Sequence, residues 1–381
     1  MRKTRKAAAV LTAFAMAAVS AVPAMADEIK DLYDYELQSR EIETWNVLYS
    51  QLATDLQVLT NLYDGLLESD EYGKLVPAVA ESWETEDNGI TWTFHLRQGV
   101  KWVDQNGNEK GEVTAQDFLT GLEWVLNFHK NDATNTAMPM EMIVGAEDYY
   151  NMTSELDADA GLALTAESPE FADTVGIKAI DDYTLQYTCV SEKPYFDTVA
   201  TYNCLYLISQ AMIDEIGIDS FKAATPENIW YNGAYTCTEY IQQNTKTLTK
   251  NPLYWDTDAK LFDSVTVKMV ESVDTAYQLY TTGELDRVDL SESNLMTIYN
   301  NESDPYHDQL DRKRRPESIS SILIMTSLMM IRQRIQTGIL QLQMKHSVSA
   351  GTMVLIWVAG IREQTLSIHI SVTTTPTQCR V

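Results

Sequence analysis

The sequence predicts an α/β fold built as two or more lobes, with α+β the neighbouring arrangement that the same pattern allows. Three observations lead there. Ile90-Thr91-Trp92-Thr93-Phe94-His95-Leu96-Arg97 alternates apolar and polar side chains, the period-two signature of a strand buried on one face. Ala115, Phe118, Leu119, Leu122, Val125 and Leu126 fall on one helical face shortly afterwards, so strands and helices interleave. The chain has 381 residues, 45% of them hydrophobic, a length that exceeds what one compact core usually serves.

From the N-terminus, Arg2, Lys3, Arg5 and Lys6 form a basic head and Ala7 to Val22 an apolar stretch. Ala24-Met25-Ala26 then supplies the small-x-small pattern of a signal-peptidase site, with Asp27 as the expected first residue of the exported chain. The alternative, a membrane anchor, is disfavoured because a span needs about 20 apolar residues. The first cysteine is Cys189, so no thiol stands at the cleavage point to take a lipid.

A helix is predicted over Thr54 to Leu67. Thr114 followed by Asp117 resembles a capping box and starts the Ala115 helix. His95, on the polar side of its strand, reads as an outward residue and not as a ligand. Met152 to Glu170, rich in Ala, Asp, Glu and Ser, reads as a surface loop or insertion. Ile177 to Ile180 and Thr184 to Cys189 flank Asp181-Asp182 as a hairpin. Val265, Val267 and Met269 alternate with polar residues as a further strand. Gly65, Gly99 and Gly233 are expected to supply turns or positive φ angles. Trp83, Trp92 and Trp102 are expected to pack in cores.

The formal charge of −27 argues against nucleic-acid and anionic-membrane partners, which would repel it. Cys189, Cys204, Cys237 and Cys379 show no CxxC spacing, and the five His are scattered, so neither a metal nor a cofactor is expected. The first three cysteines lie among apolar neighbours and read as buried small side chains. GxSxG, HExxH, P-loop and GxGxxG motifs are absent, which disfavours an enzyme and leaves a secreted hydrolase as a remote alternative.

From Asp311 the composition changes. Residues 311–381 carry nine Lys and Arg against three Asp and Glu, whereas all 20 Tyr and all 8 Phe precede Asp311. Arg312-Lys313-Arg314-Arg315 would be a basic patch, yet a shifted reading frame accounts for more. Codons for Phe-Asp-Asp-Asp read one base late give Leu-Met-Met followed by a codon beginning AT, which matches Leu328 to Ile331. Back-reading 335–357 and 365–376 restores the Asp, Asn and Tyr that the tail lacks. The expectation is a copy truncated near residue 310, impaired, and followed by an out-of-frame tail.

Several ordered stretches now carry a resemblance. They are Leu62-Tyr63-Asp64-Gly65-Leu66-Leu67, Leu75 to Trp83, Trp92 to Trp102, Val113 to Phe118, Lys178 to Leu185, Asn232-Gly233-Ala234-Tyr235, Asn251 to Trp255 and Thr282 to Asp286. In this order they resemble the family-five extracellular solute-binding proteins, which include oligopeptide- and dipeptide-binding proteins. The resemblance implies a periplasmic-binding-protein-like α/β fold of the class II, peptide-binding type: two lobes with a hinge plus an extra domain. It divides the chain into a signal peptide (1–26), a first part of lobe I (27–72), an extra domain (73–195), a second part of lobe I (196–285), the start of lobe II (286–310) and the aberrant tail (311–381).

The same resemblance implies capture of an oligopeptide for ABC transporter permease subunits, by a monomer in the periplasm or at the extracellular cell surface, with no span in the mature chain. It places Asn232 and Gly233 facing the ligand, and Gln51 and Ala53 on the segment lining the peptide's path. Same-family binders of nickel complexes, haem or oligosaccharides are the alternative. Bonding to peptide backbone, which every peptide shares, gives affinity without side-chain selection.

Overall fold

The computed structural model describes residues 31–37, 41–70, 73–131, 135–310, 341–349, 352–361 and 364–372. The leader with Ala24, Ala26 and Asp27, the Arg312–Arg315 patch, Leu328–Ile331 and Cys379 lie outside the described residues. In chain order the first elements are β1 (Asp31–Leu37), α1 (Ala53–Leu59), β2 (Leu67–Ser69), β3 (Leu75–Pro77), β4 (Ala80–Glu86) and β5 (Thr91–Leu96). They are followed by β6 (Lys101–Val103), β7 (Glu109–Glu112), α2 (Ala115–Leu126), β8 (Ile177–Asp181), β9 (Thr184–Thr188), β10 (Tyr235–Ile241), β11 (Thr245–Lys250) and β12 (Ser264–Val270).

The chain forms two compact units, and the first holds residues 31–70 and 74–310. It contains two four-stranded sheets. One has the order β1-β12-β11-β10, with β1 parallel to β12 and the other pairs antiparallel, so the N-terminal strand joins residues more than 200 positions on. The other, β4-β5-β9-β8, is antiparallel throughout. As the alternation predicts, Trp92, Phe94 and Leu96 of β5 are buried and Thr91, Thr93 and His95 are not. The β8–β9 hairpin turns at Asp182-Tyr183, where the Asp181 carboxylate accepts from the Tyr183 N–H at 2.9 Å and the Thr184 hydroxyl at 3.0 Å.

The capping box of α2 is present: the Asp117 carboxylate accepts the Thr114 N–H at 2.9 Å. The helix is less one-sided than its apolar spacing suggests, because Thr120, Gly121, Glu123 and Trp124 are buried as well. Neighbours cover it all round. A Cβ on Gly121 would lie 2.1 Å from the Tyr206 carbonyl oxygen.

Three expectations are corrected. Helix α1 ends at Leu59 and does not continue to Leu67. The backbone beyond finds partners far away, Gly233 N–H donating to Leu62 O at 3.0 Å and Tyr235 N–H to Asn61 O at 3.0 Å, and these replace helical bonds. Met152–Glu170 is largely helical, within Ala146–Glu155, Ala158–Ala163 and Pro169–Ala172. Asp157 caps the middle helix through the Ala160 N–H, and the buried Asn127 and Lys130 side chains draw in the carbonyls of Gly161 and Leu164. Gly99 has a positive φ of 82°, but Gly65 and Gly233 do not and are required for space. A Cβ on Gly65 would sit 2.5 Å from the Tyr206 ring, and one on Gly233 2.6 Å from the Leu62–Tyr63 backbone.

One continuous hydrophobic core runs from Trp45 to Leu248 and includes Trp92 and Trp102, with Trp83 packed against it. Cys189, Cys204 and Cys237 are buried free thiols. A separate small cluster joins Val270, Ala276 and Leu285. The second unit holds three strands, β13 (Gln341–Ser349), β14 (Thr352–Ile361) and β15 (Gln364–Val372), which form an antiparallel sheet in sequential order.

Candidate functional site

The segment leading into α1 is fixed from within. Trp45, Val47 and Leu48 are buried, and the Asn46 side chain donates to Phe221 O at 3.1 Å and accepts from the Leu48 N–H at 3.0 Å. The Ser50 hydroxyl donates to Asp55 at 3.0 Å. Burial raises the Asp55 carboxyl above its usual range, against the opposing pull of hydrogen bonds from Glu43 and Ser50.

Two asparagines then grip the same stretch from outside. The Asn135 amide donates to Leu48 O at 2.9 Å and Ser50 O at 3.1 Å; that of Asn203 donates to Val47 O at 2.5 Å and Ser50 O at 2.8 Å. Both side chains, with Gln51, Met138, Tyr202 and Cys204, line a cavity of about 280 Å3. No charged side chain lines it. Burial pushes the Cys204 thiol up to about 12, so it stays neutral at physiological pH. With their N–H groups given to the backbone, Asn135 and Asn203 offer amide carbonyl acceptors, and the Gln51 amide, the Tyr202 phenol and the Met138 thioether complete a lining that suits an uncharged polar or apolar ligand group.

The residues expected at the ligand divide between two places. Gln51 is exposed and lines the cavity, with Ala53 exposed at the start of α1. Asn232 and Gly233 are buried and do not line it. The Asn232 amide donates to Asp64 O at 3.0 Å and its carbonyl accepts the Asp64 N–H at 3.3 Å; Gly233 O accepts from Asn251 at 2.9 Å. Their element therefore clamps the 62–66 turn. Sequence reasoning missed Asn135, Met138, Tyr202 and Asn203, since a lone asparagine outside a motif reads as an ordinary turn residue. Among the described residues, no group of three or more His, Cys, Asp or Glu is placed to hold a metal, and no helix is long and apolar enough to cross a membrane.

Two α/β sheets, a large shared core and an uncharged cavity beside a clamped segment define a binding scaffold of the periplasmic-binding-protein type. Residues 74–329 match the bacterial extracellular solute-binding proteins, family 5 (middle region), and the chain belongs to that family. The match runs past the change of composition at Asp311. The chain is 32% identical over 266 residues to the oligopeptide-binding protein AmiA of Streptococcus pneumoniae, covering 69% of this chain and 37% of AmiA. It is 33% identical over 226 residues to the periplasmic oligopeptide-binding protein OppA of Escherichia coli, covering 59% of this chain and 37% of OppA. Among solved structures, Haemophilus influenzae OppA in complex with RPPGFSPFR aligns with a TM-score of 0.59 and 25% identity, over 72% of this chain and 49% of that one. The chain thus spans little more than a third of these relatives' length and half that of the solved chain.

Proposed function

We propose that this chain derives from the ligand-capturing subunit of an ABC importer for oligopeptides, and that it works by binding and not by catalysis. The observation that carries the reading is its 32% identity to an oligopeptide-binding relative over 266 residues. The cavity supports it: amides at Gln51, Asn135 and Asn203 are the group types that pair with a peptide. In this reading Gln51 and Ala53 border the ligand directly, and Asn232 and Gly233 support its wall from behind. Residues 27–72 and 196–285 form lobe I, residues 73–195 the extra domain and residues 286–310 the start of lobe II. The shared sheet of β1 with β10–β12 and the separate sheet of β4, β5, β8 and β9 favour this division. The protein is exported to the periplasm or cell surface with Asp27 at its N-terminus, acts as a monomer and hands its ligand to permease subunits.

We propose further that residues from 311 are read out of frame. Thermal unfolding with a mixed peptide library tests both readings. A frame-restored protein is expected to gain RT ln(1 + [L]/Kd), about 2.7 kcal/mol at a hundredfold excess over Kd, while the chain as written gains nothing. Equal gains would overturn the expected impairment, a continuous gene encoding this same tail in several independent isolates would overturn the frameshift, and no gain in the restored protein would overturn peptide capture. A second reading, an apolar non-peptide ligand, is favoured by 29% identity over 233 residues to the probable deoxycholate-binding periplasmic protein YgiS of Escherichia coli. Stabilisation by deoxycholate and not by peptides would select it.

A further inference from the structure

Ser50 O is the meeting point of two side-chain amides. The Asn135 nitrogen donates to it at 3.1 Å and to Leu48 O at 2.9 Å, while the Asn203 nitrogen donates to it at 2.8 Å and to Val47 O at 2.5 Å. An amide nitrogen carries two hydrogens, so both nitrogens are fully committed. The network also fixes which way each amide points, because a flipped one would set its oxygen against two backbone carbonyls. The other end of each side chain is different. Among the described residues, neither Asn135 Oδ1 nor Asn203 Oδ1 accepts a hydrogen bond from the protein. Nor are they buried, since the buried side-chain polar atoms without a partner are the Tyr63 and Tyr187 hydroxyls. Both residues line the cavity, so these open oxygens are what the pair presents to it.

We propose that the carbonyl oxygens of Asn135 and Asn203 form a fixed acceptor pair, which makes the cavity beside Gln51 select a neutral hydrogen-bond donor, the amide or hydroxyl side chain of a bound peptide, over a carboxylate. The backbone here has little left to offer: Ser50 O already holds two N–H groups, and Val47 O and Leu48 O hold one each. The asparagine oxygens take over as acceptors in its place. A carboxylate brings only acceptors and would meet them oxygen to oxygen. The formal charge of −27 disfavours it further. An ammonium group donates, but no charged side chain among the described residues lines the cavity to balance it, and an unpaired charge is costly to enclose. A neutral amide or hydroxyl meets neither penalty. Gln51 and Tyr202 are exposed and can each donate or accept, so they adapt to the group that the fixed pair selects. That the donor belongs to a peptide rests on the preceding reading; the preference for a donor does not.

The test uses the full chain with methyl-13C methionine and four probes small enough for a cavity of about 280 Å3: propionamide, N,N-dimethylpropionamide, propionate and propylammonium. The Met138 methyl resonance, assigned with Met138→Leu, reports occupancy. Propionamide is expected to shift it saturably. The dimethyl amide, which keeps the shape and loses both donors, should bind about fivefold more weakly, the effect of one hydrogen bond, and so should the two charged probes. Asn135→Ala should weaken propionamide by about the same factor and leave the dimethyl amide unchanged, whereas a merely structural role would weaken both alike. Asn203→Ala is the second variant, and the four-probe comparison in the parent chain needs neither. Equal affinity for propionamide and its dimethyl analogue, tighter binding of either charged probe, or a Met138 resonance that no probe moves would overturn the proposal. Peptide stabilisation of the frame-restored protein without this discrimination overturns the donor preference and leaves peptide capture standing. Discrimination without peptide stabilisation upholds the preference and overturns capture.

Discussion

Lys246 of β11 has a fully buried side chain, and its ammonium pairs with Glu36 of β1 and, at 2.9 Å, with Glu41. Burial pulls its pKa down, but hydrogen bonds to the two glutamates outweigh this and hold it above the ordinary lysine range. Removing the cation would leave two partly buried carboxylates facing each other. Lys246→Met is therefore expected to cost about 3 kcal/mol, read from urea unfolding, and a loss below about 1 kcal/mol would show the pair to be dispensable. Gly233 makes a steric counterpart. A methyl there meets the backbone of Leu62 and Tyr63 at 2.6 Å, and backbone cannot yield as a flexible side chain can. Gly233→Ala should destabilise by about 1–3 kcal/mol in the same assay even though its φ is ordinary.

Helix α2 shows how one acid can serve an element and burden it with a pH dependence. The Asp117 carboxylate accepts the Thr114 N–H at the helix start and the Trp102 indole N–H at 3.2 Å. Asp117→Ala would leave both donors without an acceptor, at a cost of about 2 kcal/mol measured by guanidinium unfolding at pH 5. Burial also pushes this carboxyl up to about 7, against the two hydrogen bonds that favour its ionised form. With the folded pKa above the unfolded one, the proton is retained on folding, and stability declines as pH rises from about 4 to about 7. Asp117→Asn should flatten part of that decline. An unchanged pH profile would show that the carboxyl titrates normally.

Across the first unit, packing is uneven. Residues 45 to 248 share one core, whereas Val270, Ala276 and Leu285 form a cluster of three, and the Glu292–Tyr299 helix leaves Leu295, Met296 and Tyr299 between 41% and 48% exposed. Few buried contacts mean a low free energy of local opening. Native-state hydrogen exchange should therefore release the amides of 273–299 well before those of 91–126. Equal protection of the two regions would show that the small cluster unfolds only with the whole.

The sequence by itself determined the elements whose side chains alternate or recur locally: β5, the β8–β9 hairpin, β12, and the start of α2 at Thr114. It also determined the family, through ordered stretches from Leu62 to Asp286. Such patterns are legible because a strand face or a helix cap is decided by residues within a turn or two of each other. Tertiary structure alone decided where α1 stops, since the bonds that end it run to residues about 170 positions away. The helices of 146–172 also depend on distant partners, through Asn127 and Lys130. The cavity beside Gln51 is assembled from three separated stretches, and Asn135 and Asn203 acquire their role only because Ser50 O lies between them. Asn232 shows the same limit from the other side. Its motif marks it as important, yet only packing against Asp64 decides that its amide faces inward, because a buried amide goes where unpaired backbone groups are.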